Sequence, residues 1–163
     1  MGCSIILNAI SVTILKNWGV ELANKHDILE NFYKEVWERG NLDAVDTYFN
    51  LVADTNRIID DAGIVPSEIR EWVSIIRSFV TNISVRVVKS VEEGDWISAY
   101  LEINCQRIDN GAAVHVYQQI MMRFVGDQKI ESYPQFNFLQ FFEQIGQLPE
   151  NTFELLMGGA RLK

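Results

Sequence analysis

The feature that most constrains this chain is a change of hydrophobic period after Asn82. Before it, apolar residues recur at three and four. After it they alternate, which is the spacing of a sheet with one buried face. Four segments carry the alternation: Ser84 to Val91, Trp96 to Gln106, Ala113 to Val125 and Lys129 to Asn137. The separators are Glu93-Gly94-Asp95, Asp109-Asn110-Gly111 and Gly126-Asp127. Asn-Gly favours a hairpin because both residues tolerate positive φ. Parallel neighbours need a crossover of a dozen or more residues, so these short connections force an antiparallel meander. The inward set is Ile97, Ala99, Leu101, Ile103 and Cys105 on one strand. On the next it is Val114, Val116, Gln118, Ile120, Met122 and Phe124.

That sheet needs something to cover it. From Asn24, a capping residue, Ile28, Leu29, Phe32, Val36 and Trp37 fall on one helical face, and Gly40 ends the run. Asn41 then caps a shorter helix that buries Leu42, Val45, Tyr48 and Phe49. Residues 50–65 read as irregular, with a short strand possible at Val52 and Ile58-Ile59. Pro66 opens a third helix to about Val80, since a proline's missing N–H costs nothing in the first turn. Phe138 to Ile145 and Glu150 to Met157 read as short C-terminal helices. Helices first and a sheet afterwards predict an α+β fold. Residues 1–23 read as an N-terminal extension and 24–163 as a single domain.

Composition narrows the function. Fourteen Lys plus Arg against 22 Asp plus Glu give a formal charge of −8 in 163 residues. The basic residues are scattered singles, which argues against nucleic acid as a partner. Two cysteines, Cys3 and Cys105, and two histidines, His26 and His115, make a disulfide scaffold or a metal site improbable. Reduced thiols in a cytoplasm are expected. The apolar run Ser4 to Leu15 is shorter than the roughly 20 residues of a spanning helix, and no membrane partner is expected. An extra strand, a docking helix or a leader all fit it. The acylation pattern that Met1-Gly2-Cys3 suggests requires Ser or Thr where Ile6 stands.

The stretch Ile28 to Phe49, containing Phe32-Tyr33-Lys34-Glu35-Val36-Trp37 and Gly40-Asn41-Leu42-Asp43-Ala44, resembles the opening of SnoaL-like proteins of the nuclear transport factor 2-like superfamily. The resemblance continues through the helix at 66–80, Glu93-Gly94-Asp95, Gly126-Asp127-Gln128-Lys129-Ile130, and Phe141-Phe142-Glu143-Gln144-Ile145-Gly146. It implies a cone, with a curved sheet wrapped around three N-terminal helices, a pocket between them, and a homodimer through the outer sheet face. It also implies that a polyketide cyclase would carry an acid/base carboxylate on the last strand. Here that place falls to Pro134 or Gln135, neither of which exchanges a proton.

The resulting expectation is a protein that binds a small apolar ligand in its central pocket without the cyclase carboxylate and without a cofactor. The expected pocket residues are Trp37, Tyr48, Trp72, Gln118, Tyr133 and Gln135. The aromatic ones could equally be core. Gln118 is a polar amide on an apolar face, and a buried amide needs a partner. That partner is ligand, water or backbone. Asn137 and the Phe138 to Phe142 segment are placed to close the wide end. The alternative is a cofactor-free isomerase, cyclase or hydrolase with relocated acids, the candidates being Asp54 and Glu131. A third possibility is a protein-interaction module using the sheet face. His115, Glu102, Tyr100 and Tyr117 fall on that outer face, toward solvent or a partner.

Overall fold

The structure, a computed structural model, describes residues 24–49 and 66–162. The expectations for residues 1–23, for the strand at Val52 and Ile58-Ile59, and for Asp54 lie outside the described residues.

Helix α1 (Lys25–Phe32) starts where Asn24 accepts a hydrogen bond from the Asp27 N–H at 2.7 Å. It continues into a wider π-helical segment, Tyr33–Glu38. A 3₁₀ turn (Leu42–Ala44) leads into the one-turn helix α2 (Val45–Tyr48). Asn41 precedes this turn, but its side chain makes no capping bond, so the expected cap is absent. Helix α3 (Pro66–Phe79) passes into strand β1 (Val80–Glu93) with no connecting residue, so the strand begins four residues earlier than alternation predicts. Strands β2 (Trp96–Arg107), β3 (Ala113–Val125) and β4 (Gln128–Phe136) complete one antiparallel sheet in the order β1-β2-β3-β4. Helices α4 (Phe138–Gln144) and α5 (Thr152–Met157) follow.

Bulges curve the sheet. Pairing of β1 with β2 shifts register between Thr81 and Ser84, where Asn82 has φ 51°, and again between Val87 and Lys89. An extra residue bends its strand and increases the local twist. A third shift lies between β3 and β4: Arg123 faces Glu131, but Phe124 faces Lys129, so Ile130 is the extra residue.

Side chains satisfy the backbone that the sheet leaves unpaired. Among the described strands β1 is an edge, and the Glu38 carboxylate accepts its Val85 N–H at 2.7 Å. Pairing with β4 ends at Gln118, so His115 on β3 lies beyond it. The Gln144 side chain of α4 takes over there, accepting the His115 N–H at 2.7 Å and donating to its carbonyl at 2.8 Å. Arg77 of α3 donates to the Trp37 and Glu38 carbonyls at 2.8 and 3.0 Å, closing the end of the π-helical segment.

The core has two parts. One joins Leu29, Phe32, Val36 and Val73 to Ala99, Leu101, Ile120 and Met122. The other joins Val80, Ile83, Cys105, Val114 and Val116 to Phe141 and Ile145. No described helix is long and apolar enough to cross a membrane.

Candidate functional site

Between the two core clusters lies a cavity of about 190 Å³. The π-helical segment supplies Tyr33 and Trp37, and α3 supplies Ile69, Trp72 and Ile76. The sheet supplies Val116, Gln118 and Ile120, and Phe136, Phe138 and Phe141 close the far side. Most of this wall is apolar because it is the inward face of the alternation. A π-helical turn is uncommon and recurs at functional sites. Here Tyr33 and Trp37 share its inward side and their rings stack at 6.5 Å.

Among the described residues, polar groups in the wall are few. The buried Tyr33 hydroxyl donates to Gln118 Oε1 at 3.0 Å, and burial raises the phenol's pKa. Gln118 therefore has a side-chain partner, where ligand, water or backbone was expected. Ser132 and Cys105 also face the cavity, and burial pushes the Cys105 thiol up to about 11.

The fifth polar group is Lys129, only 2% exposed. Counted by alternation from Glu131, it belongs on the outer face. The extra residue Ile130 reverses it, because one residue of slip exchanges the faces of a strand. Its Nζ lies 3.5 Å from the Phe32 ring centre and 4.1 Å from that of Phe49. Two effects compete there. A desolvated cation–π contact is worth about 2 kcal/mol or more. Removing an ammonium from water still costs several kcal/mol after relaxation, from an idealised ~20 kcal/mol. Desolvation wins, and burial holds the Lys129 amine well below its ordinary pKa of 10.5.

The expected site residues separate into groups. Trp37, Trp72 and Gln118 line the cavity. Trp72 is 40% exposed and its ring lies 5.1 Å from Phe138, which places it at the rim. Tyr48 packs edge-on against Phe32 at 5.5 Å, outside the lining. Tyr133 and Gln135 stand on the opposite face of β4, facing Met121 and Gln119 across the pairing with β3. Pro134 takes the inward place between them. Glu131 is on that outer face too. It is 2% exposed, paired with the Arg123 guanidinium, and accepts the Tyr133 hydroxyl at 2.6 Å. Trp96 stacks on Tyr133, with Arg123 over its ring at 5.7 Å. The missed residue was Lys129, and the one signal for it was an extra residue in a strand, which alternation cannot locate.

Elsewhere on the outer face, Tyr100 and Tyr117 stack at 5.2 Å. Glu102 binds Arg86 at 2.6 Å and His115 at 3.1 Å, and these partners, Arg86 foremost, lower its carboxyl pKa. Among the described residues, no group of three His, Cys, Asp or Glu is placed to hold a metal ion.

No family model and no curated protein matches the sequence. Solved structures do match the fold. AclR, a candidate hydroxylase from Streptomyces galilaeus, superposes with a TM-score of 0.64 at 15% identity, covering 85% of this chain and 91% of that one. A candidate SnoaL-like polyketide cyclase from Jannaschia superposes at 0.58 and 13% identity, over 76% and 92%. The chain has the SnoaL-like fold. A candidate polyketide cyclase from Acidithiobacillus ferrooxidans adds a TM-score of 0.61 at 17% identity, over 78% and 98%. At such identities the likeness fixes the architecture of the SnoaL-like cone and leaves its chemistry to the cavity wall.

Proposed function

We propose that this SnoaL-like protein binds a small apolar molecule in its central cavity, without the last-strand carboxylate of the polyketide cyclases. The observation that carries this reading is the composition of the wall. Among the described residues, aromatic and aliphatic side chains make up most of it, with the Tyr33–Gln118 pair, Ser132, Cys105 and Lys129 as the polar groups. On the last strand, Ser132, Pro134 and Phe136 face the cavity, while Glu131 is engaged with Arg123 and Tyr133 on the other face. An apolar hollow with a few convergent polar groups is the ordinary form of a small-molecule site. A dry cavity of about 150 Å³ takes up benzene, so about 190 Å³ suits a substituted single ring.

The test is thermal unfolding with toluene, phenol, indole and cyclohexanol. A ligand at 100 times its Kd stabilises by about 2.7 kcal/mol. At roughly 2–4 °C per kcal/mol for a chain of this size, Tm should rise by about 5–11 °C. No shift with any of them overturns the reading.

The reading includes a homodimer through the outer sheet face. Its support is the half-exposed Tyr100 beside Tyr117 and the exposed Met121 on that face. Sedimentation should give a dimer that Tyr100→Glu weakens. A monomer at all concentrations removes this part alone.

A further inference from the structure

We propose that Lys129 is a covalent anchor for a carbonyl compound: its amine condenses with the aldehyde or ketone carbon of a small apolar ligand in the cavity, forming an imine. The proposal rests on the reading of the cavity as a small-molecule site, and it names the class of molecule.

Three observations converge on it. First, Lys129 is the one basic side chain in the cavity wall among the described residues, and the bulge at Ile130 places it there against the alternation of its strand. Second, its Nζ lies against the rings of Phe32 and Phe49. Those surroundings favour the neutral amine, and only the neutral amine has the lone pair that attacks carbon. Burial lowers its basicity in the direction this chemistry needs. Third, the same wall carries a hydrogen-bond donor for a carbonyl oxygen, the Ser132 hydroxyl; the Tyr33 hydroxyl gives its proton to Gln118 at 3.0 Å and keeps its oxygen as an acceptor, placed for the carbinolamine O–H. An apolar ring would lie along Trp37, Ile120 and Phe141, with its carbonyl group toward β4.

The step balances without a further reactant. The nitrogen lone pair forms the C–N bond, and the carbonyl π electrons move to oxygen, which takes a proton from the nitrogen. The C–O bond of this carbinolamine then breaks and the C=N bond forms. The oxygen leaves as water with the second amine proton. A water-poor wall favours the imine, because water is the product that reverses it.

The experiment treats the full-length protein with benzaldehyde and cyanoborohydride at neutral pH and maps the benzyl groups by peptide mass. Thermal unfolding with toluene and with benzoate runs alongside. The expected result is a benzyl label at Lys129 exceeding that at Lys25, Lys34 and Lys89 by about tenfold or more. Lys129→Met should abolish that label, leave the background on the surface lysines, and keep the toluene shift, which shows a folded variant with an intact cavity. A toluene shift with no preference for Lys129 overturns the covalent anchor and leaves the binding reading standing. Benzoate stabilising more than toluene, with no label at Lys129, also overturns it, by showing a charged ammonium that recognises an anion. No toluene shift and no label removes both readings.

Discussion

The hydrogen bond between Tyr33 and Gln118 is the most informative place to perturb the cavity. It links the π-helical segment to the middle of β3 and is partly buried. Tyr33→Phe deletes the donor and leaves the Gln118 oxygen facing an apolar wall. An unsatisfied buried acceptor costs about 1–3 kcal/mol. The site is only part-buried, so about 1–2 kcal/mol is the appropriate range, equal to roughly 2–8 °C in Tm. Gln118→Met, close in length and volume, strands the Tyr33 hydroxyl instead and should cost about the same. The double variant replaces both partners by apolar groups of similar shape, so it should recover most of the loss, with a coupling energy of about 1–2 kcal/mol. Urea unfolding of the four proteins, with unchanged m-values, measures the cycle. Additivity to within ~0.5 kcal/mol would refute the reasoning. It would mean that water satisfies each group on its own, and that the cavity is wet.

Three further outcomes follow from other features. Gly40→Ala should cost about 1–3 kcal/mol in urea unfolding, because φ there is +72° and the new Cβ would sit 2.8 Å from Arg77 Nε, displacing a side chain that holds two carbonyls. Lys129 lies below its free value of 10.5 in the folded protein, so between its folded pKa and 10.5 the unfolded chain binds more protons. Stability should therefore rise with pH through that window, and Lys129→Met should flatten the slope; an unchanged slope would contradict the burial. Cys105, buried and raised to about 11, should react with iodoacetamide far more slowly in the native protein than in urea, as followed by mass spectrometry, and equal rates would contradict its position in the wall.

Much of this architecture was legible because burial writes its period into the residues. Ile97, Ala99 and Leu101, and Val114, Val116 and Ile120, are buried where alternation places them. Gly94, Gly111 and Gly126 adopt positive φ at the hairpins. Alternation fails where a strand holds an extra residue. The bulge at Ile130 turned Lys129 inward, while Glu131, Tyr133 and Gln135 share the outer face of β4, so the pocket places expected for Tyr133 and Gln135 fall to Ser132 and Pro134. No local preference marks Ile130 as the bulged residue, since the shift is set by how β4 meets β3. The start of β1 was missed for a related reason. Val80 to Ile83 carry the helical spacing of α3 in sequence but the pairing of a strand in space, with Asn82 in the left-handed region. The π-helical segment likewise has no signature of its own, because Tyr33 and Trp37 are also four apart in an ordinary helix.

The junction of α3 and β1 has one more consequence. Phe79 ends the helix and Val80 begins the strand, while the Phe79 carbonyl accepts the Ile108 N–H at 3.0 Å. A connector of several loose residues would let a helix swing independently of its sheet. Here no residue stands between them, so a displacement of the helix at Trp72 would act directly on the bent strand.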